Sequence, residues 1–86
     1  MVVNIGMKTT ISTLTRLGLT DYEARAYITL LRENPLTAYE ISKNSGIPSS
    51  KVYEVIKRME SKQFVQSIHG ERSRMFIPTS LLLNFI

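Results

Sequence analysis

Hydrophobic positions recur with a helical period through the first half of the chain. In residues 8–17 the apolar side chains lie three residues apart, which predicts a helix that ends at Gly18. A second apolar face follows Thr20 and predicts a helix that ends before Pro35, because a residue preceding proline avoids the α region. Thr20 and Glu23 have the spacing of a capping box at the start of this second helix.

A third, shorter helix is predicted by a second capping-box pattern at Thr37 and Glu40. It has room for about two turns. Its candidate buried contacts are three side chains, namely Ala38, Ile41 and Tyr39. Gly46 suits the left-handed conformation that commonly ends a helix, since glycine pays no penalty for a Cβ there.

A tight corner and a fourth helix come next. Ile47 and Pro48 form the corner, and residues 49–62 have the pattern of one helix. The sequence leaves open whether Pro48 is the first helical residue or Ser49 is the N-cap. A helix, a tight turn containing glycine and a second helix are the signature of a helix-turn-helix motif.

After Gln63 the period changes from helical to alternating. The segments "FVQSIH" and "RMFIP" are rich in β-forming residues and are separated by "GERS", which predicts a two-stranded hairpin that ends at Pro78. The predicted fold class is therefore mainly α with a small β-hairpin, a winged helix-turn-helix. The chain finishes with "TSLLLNFI", which is apolar and uncharged.

Composition excludes several classes of function. The 86 residues suffice for one small domain, and the absence of cysteine excludes disulfides and Cys-based zinc sites. The start lacks the features of a secretory signal, and no apolar run is long enough to cross a bilayer, so we expect a cytoplasmic protein without a membrane partner. Catalysis and cofactors are not expected, since His69 is the only histidine, no metal-ligand cluster is present, and the four isolated glycines make no phosphate-binding loop.

The charge is unevenly distributed along the chain. Residues 43–74 hold seven bases and three acids, which accounts for the whole net charge of +4. On a helical wheel of residues 49–60, Val52, Val55, Ile56 and Met59 share one side, and polar or charged residues occupy the other. Because the second helix of this motif lies in the DNA major groove, these features predict binding of double-stranded DNA.

The candidate DNA-binding residues come from three places. The first helix of the motif contributes backbone contacts, the second helix contacts bases and phosphates, and the hairpin loop, about residues 69–74, contacts the adjacent backbone or minor groove. Glu54 can accept a hydrogen bond from a cytosine amino group, and short hydroxyls can approach phosphates closely. The set is Thr37, Lys43, Ser49, Ser50, Lys51, Tyr53, Glu54, Lys57, Arg58, Arg72 and Arg74.

Each of these residues also has a plainer interpretation. Ser49 or Ser50 could simply cap the helix, Tyr53 could be half-buried against the hairpin, and Glu54 could pair with Lys51, Lys57 or Arg58. The two arginines of the hairpin could be ordinary surface residues. A winged helix can also be a protein-docking module of the transcription machinery, for which an apolar outward face on residues 49–62 would be the sign.

Two segments, "LGLTDYEARAYITLL" and "TAYEISKNSGIPSSKVYEVIKRMESKQFV", resemble the winged-helix DNA-binding domain of the TrmB-like transcriptional regulators of archaea. The resemblance spans about residues 16–78. It implies a dimeric, sequence-specific regulator with residues 49–62 as the recognition helix. Two departures are Ser49, where members often carry a basic residue, and Gln63, where they often carry glycine.

The resemblance also bears on domain organisation. It implies a DNA-binding domain over residues 1–78, with residues 79–86 as the start of a C-terminal helix for dimerisation, although the tail could instead fold back on its own core. Many members continue into a coiled coil and a sugar-binding domain. This chain stops at Ile86, so no site for a small-molecule effector is expected within it, and it is either a fragment or a short regulator.

Overall fold

The computed structural model describes residues 11–79 and confirms the predicted fold class. A first helix, α1, is described over residues 11–16. Three more helices and an antiparallel hairpin follow it: α2 (Asp21–Arg32), α3 (Ala38–Ser45), α4 (Ser49–Ser61), β1 (Val65–His69) and β2 (Arg74–Pro78). No helix within residues 11–79 is both long enough and apolar enough to span a membrane.

Both predicted capping boxes are present. The Thr20 hydroxyl accepts a hydrogen bond from the Glu23 amide, and the Glu23 carboxylate accepts one from the Thr20 amide. Thr37 and Glu40 make the same reciprocal pair at the start of α3. These bonds satisfy amides that a helix start leaves without partners, so the starts of α2 and α3 are determined locally.

The hydrophobic core lies where the helices and the hairpin meet. Leu30, Ile41 and Met59 are fully buried, one from each of α2, α3 and α4. The hairpin joins this core through Phe76, which also forms a bridge with Leu36 through two backbone hydrogen bonds of 3.1 and 2.7 Å. The hairpin is therefore attached to the helical part at its base, and it has a defined direction relative to α4.

The corner between α3 and α4 is held by backbone and serine hydrogen bonds. Gly46 has a φ of 81°, in the left-handed region as predicted, and its amide donates to the Ser42 carbonyl at 3.1 Å. The Ser42 hydroxyl donates to the Ile47 carbonyl at 2.6 Å, and the Ile47 amide donates to the Ser45 hydroxyl at 3.1 Å. With the Ile47 side chain buried, the two helices meet at a fixed angle.

A buried ion pair anchors the far end of α4. Glu23 is fully buried, and its Oε1 accepts from Lys62 Nζ at 2.8 Å as well as from the Thr20 amide. Lys62 Nζ also donates to the Gly18 carbonyl at 2.9 Å. Lys62 is one of the seven bases in residues 43–74. In the structure its side chain joins the end of α4 to the turn between α1 and α2.

One expectation about the core is wrong, and another lies outside the described residues. Tyr39 is 69% exposed, because it lies about 200° around α3 from the buried Ile41. The dimerisation helix predicted at residues 79–86 lies, apart from Thr79, beyond the part of the chain that the structure describes.

Candidate nucleic-acid interface

The outward surface of α4 carries the predicted polar set. Val52, Val55, Ile56 and Met59 face the core as the helical wheel predicted. Seven candidate residues of this helix are exposed on the remaining surface, namely Ser49, Ser50, Lys51, Tyr53, Glu54, Lys57 and Arg58. Tyr53 is 72% exposed, which excludes the interpretation that it is half-buried against the hairpin.

The first turn of α4 is open in a way that the starts of α2 and α3 are not. Pro48 is the N-cap, and no side chain makes a capping hydrogen bond there. The sequence left this point open, and the structure shows that neither Ser49 nor Ser50 caps the helix. The first turn also contains no acidic residue. Unpaired amides and the positive end of the helix dipole make such a start favourable for an anion.

Charge on α4 is divided between paired and unpaired side chains. Glu54 pairs with Arg58 at 3.0 Å, one of the pairings that the sequence allowed, and both side chains remain largely exposed. Within residues 11–79, Lys51 and Lys57 form no ion pair. Exposed pairs of this type contribute about 0.3–0.5 kcal/mol to stability, so the Glu54–Arg58 pair holds its partners only weakly.

The first helix of the motif carries two of the predicted residues, Thr37 and Lys43. The Thr37 hydroxyl accepts from the Glu40 amide and donates to the Glu40 carboxylate, both at 3.2 Å, so capping already occupies it. Lys43 is exposed in the last turn of α3, and within the described part of the chain it forms no ion pair.

The β1–β2 hairpin, which forms the wing of the fold, places its two arginines in different surroundings. Arg72 is exposed in the hairpin loop, whereas Arg74 begins β2 and donates from Nη2 to Glu60 Oε2 at 2.9 Å. The Arg74 guanidinium also lies over the Phe76 ring, 5.4 Å from its centroid. The wing is thus joined to α4 by a charged contact that sequence reasoning did not predict.

A groove runs between the start of α3, the outward face of α4 and β2. Its volume is about 620 Å³, and its apolar lining comes from Ala38, Ile56 and Phe76. Six of its polar lining residues are Tyr39, Tyr53, Lys57, Glu60, Ser73 and Arg74. Three of these, Tyr39, Glu60 and Ser73, were missed by sequence reasoning. For Tyr39 the missing signal was its angular distance from Ile41 on the helical wheel.

A group of ligands suited to a metal ion does not accompany this surface. Within residues 11–79, no three His, Asp or Glu side chains lie close enough together to hold one. The surface carries hydroxyls, aromatic rings and cations, together with the carboxylates of Glu54 and Glu60. These groups bind phosphates and base edges through hydrogen bonds and charge.

The arrangement of a fixed corner, an exposed second helix and a hairpin beside it defines a winged helix-turn-helix protein. Residues 14–81 match the family model described as sugar-specific transcriptional regulator TrmB. The chain belongs to the TrmB family of transcriptional regulators. This membership confirms the predicted resemblance and places the chain among regulators and not among enzymes.

Individual relatives agree with this assignment. The chain is 40% identical over 67 residues to the sugar-sensing transcriptional regulator TrmBL1 of Pyrococcus furiosus, which covers 78% of this chain and 19% of that protein. It is 46% identical over 57 residues to the uncharacterised protein YrhO of Bacillus subtilis, which covers 66% of this chain and 21% of YrhO. Matching proteins thus occur in bacteria as well as archaea, and the chain spans about a fifth of their length.

A solved structure shows the same fold. The archaeal chromatin protein TrmBL2, whose structure is described as showing a novel mode of DNA binding, superposes with a TM-score of 0.79 and 27% identity. The superposition covers 88% of this chain and 30% of the TrmBL2 chain. The described helices and hairpin therefore correspond to about a third of the longer TrmBL2 chain.

Proposed function

We propose that this chain is a sequence-specific, double-stranded DNA-binding unit of a transcriptional regulator, with α4 in the major groove. The observation that carries this proposal is the outward face of α4. It is polar and basic, it is held at a fixed angle by a hydrogen-bonded corner, and its first turn is open to an anion. Family membership and the DNA-binding description of TrmBL2 support the same conclusion.

The residues divide by role. Ser50 and Tyr53 contact base edges, and Glu54, steered by Arg58, accepts from a cytosine amino group. Ser49, with the open first turn of α4, binds a phosphate. Four cations bind the sugar–phosphate backbone and fix the register of the protein on DNA, namely Lys43, Lys51, Lys57 and Arg72. Thr37, at the start of α3, also contacts the DNA backbone, although its hydroxyl is engaged in capping.

The regulator acts in the cytoplasm as a homodimer, and residues 79–86 begin its dimerisation helix. Support comes from the tail, where five large apolar side chains occur in eight uncharged residues. An apolar segment left in contact with water is unfavourable, so such segments usually mark an interface. Two winged helices related by a twofold axis would bind two half-sites of a palindromic operator.

Selection from a random-sequence DNA library, at two salt concentrations, tests the proposal directly. We expect an enriched motif with twofold symmetry, and binding that weakens with salt because counterions are released from DNA. Salt-sensitive binding without an enriched motif would contradict sequence specificity. No binding even at low salt would contradict DNA binding altogether and favour a protein-docking module.

Two variants separate base reading from backbone binding. Ser50→Ala should change the enriched motif, since a good base contact is worth about 1–3 kcal/mol of discrimination. Lys57→Ala should weaken binding to all sequences alike and flatten the slope of log K against log salt by about 0.9. Arg16→Ala removes the same charge from α1 and is the control, for which we expect no change in the motif.

A further inference from the structure

We propose that the groove between α3, α4 and β2 binds the sugar–phosphate backbone of one DNA strand, and that Glu60 holds Arg74 until a phosphate replaces its carboxylate. The inference rests on the proposed function and deepens it. It assigns DNA-strand binding to Tyr39, and it makes the Glu60 carboxylate a competitor of the phosphate for Arg74. Neither Tyr39 nor Glu60 belongs to the surface predicted from the sequence.

The lining of the groove matches the chemistry of a DNA strand. Two cations, Lys57 and Arg74, and two tyrosine hydroxyls supply donors for phosphate oxygens. An apolar floor of Ala38, Ile56 and Phe76 suits the carbon face of deoxyribose. The groove also lies between the motif and the wing, where the strand beside an occupied major groove would pass.

Glu60 and Arg74 form a contact that a phosphate can replace. The distance from Arg74 Nη2 to Glu60 Oε2 is 2.9 Å, and the two side chains are 59% and 31% exposed. Ion pairs at this exposure are weak because water and salt screen them. A phosphate offers the guanidinium the same charge and a better match to its fork of donors. The exchange leaves Arg74 with an anionic partner, and it leaves the Glu60 carboxylate to water.

Tyr39 is placed to contact a phosphate bound in the groove. Its side chain is 69% exposed on the first turn of α3, and together with Tyr53 it lines the groove. Within the described residues its hydroxyl has no hydrogen-bond partner. A phosphate in the groove would provide one. A contact of this kind serves every sequence equally, because the backbone is the same in all of them.

The test of Glu60 is a double-mutant cycle with Arg74, measured as the affinity for a duplex at fixed salt. Glu60→Gln keeps the shape and helix propensity of the side chain and should tighten binding about two- to fivefold. Glu33→Gln changes net charge equally from the end of α2, outside the groove, and should have a smaller effect. In an Arg74→Ala background, Glu60→Gln should produce no tightening beyond that of Glu33→Gln.

The outcomes distinguish this inference from the function on which it rests. Equal tightening by Glu60→Gln with and without Arg74 would mean that Glu60 repels DNA directly, and the exchange would be wrong. Wild-type binding with no response to Glu60→Gln beyond the control would overturn the exchange and leave the proposed function intact. Absence of binding by the wild-type chain to any duplex would instead overturn both.

A second measurement tests the groove itself. Tyr39→Phe should weaken binding about two- to tenfold on selected and random duplexes alike, because one hydroxyl contact to a phosphate is lost. Tyr22→Phe removes a hydroxyl from α2 outside the groove and should change nothing. A loss confined to the selected sequence would show that Tyr39 reads bases, and no loss would show that the strand does not reach it; either would overturn the assignment.

Discussion

The two helices of the motif begin differently. The first turn of α3 is completed by its own residues, since Thr37 and Glu40 satisfy each other's amides. The first turn of α4 has Pro48 as its N-cap, no side-chain capping bond and no acid. A helix whose first turn binds no ligand is more stable when its N-terminal amides are capped. A helix that binds an anion there must leave those amides available. The contrast supports the proposal that the first turn of α4, and not that of α3, offers open amides to a phosphate.

The two helices also end differently. Gly46 ends α3 in the left-handed conformation, where glycine carries no strain. At the end of α4, Lys62 reaches across to the buried Glu23, and Gln63 follows with a φ of 66°. The end of α3 is therefore determined by local sequence. The end of α4 depends on a residue 39 positions away and on a conformation that is costly for glutamine.

Removing Lys62 should have the largest effect on this arrangement. Lys62→Met leaves the buried Glu23 carboxylate without its cation, and we expect a loss of about 2 kcal/mol in the free energy of unfolding. The estimate is below the range for fully buried pairs because Lys62 is 37% exposed. In thermal denaturation followed by circular dichroism, the midpoint should fall by about 10 °C.

The control for this prediction is Lys57→Met, the same substitution at an exposed lysine of the same helix. It should change the free energy of unfolding by less than about 0.5 kcal/mol. Adding Glu23→Gln to Lys62→Met should recover part of the loss, since the uncompensated charge is then removed. If both lysine variants have the same stability, the buried pair does not anchor α4.

The helix starts provide a smaller and direct comparison. Thr37→Ala removes a capping bond and should cost about 1 kcal/mol in the free energy of unfolding. Ser49→Ala removes a hydroxyl that caps nothing, so its cost should be below about 0.5 kcal/mol. Urea denaturation of the two variants measures both values. Comparable losses would show that Ser49 supports the helix after all, against its assignment to phosphate binding.

The smallest expected effect is a gain in stability at the end of α4. The Gln63 amide donates to the Glu60 carbonyl and the Phe64 amide to the Met59 carbonyl, a Schellman ending that places Gln63 in the left-handed region. Gln63→Gly should raise the free energy of unfolding by about 0.5 kcal/mol, the relief of strain exceeding the entropy that glycine adds to the unfolded chain.

Gln66→Gly is the matched control, because Gln66 is an exposed residue of β1 with ordinary strand conformation. There the same substitution should lower the free energy of unfolding by about 0.5–1 kcal/mol. Urea denaturation should therefore shift the two variants in opposite directions. A decrease for both would mean that the left-handed position carries no strain.

Much of the candidate interface was predictable because its signals are local. The exposed set on α4 follows from a helical period that puts Val52, Val55, Ile56 and Met59 on the buried side. The side chains that Lys62 and Arg74 contact were not predictable, since those partners lie 39 and 14 residues away in sequence. The predicted burial of Tyr39 is wrong, because its position on the helical wheel places this aromatic side chain on the exposed side of α3.

The sequence by itself determined the starts of α2 and α3, the end of α3, the hairpin, the placement of positive charge and the family. Capping boxes, glycine and periodicity act over a few residues, and they specify local structure before the chain folds. Only the tertiary structure decided that α4 starts without a cap, that Glu23 and Lys62 meet in the interior, and that a groove opens beside the wing. Those features depend on which distant surfaces come together to bury the core, and a local pattern does not specify that choice.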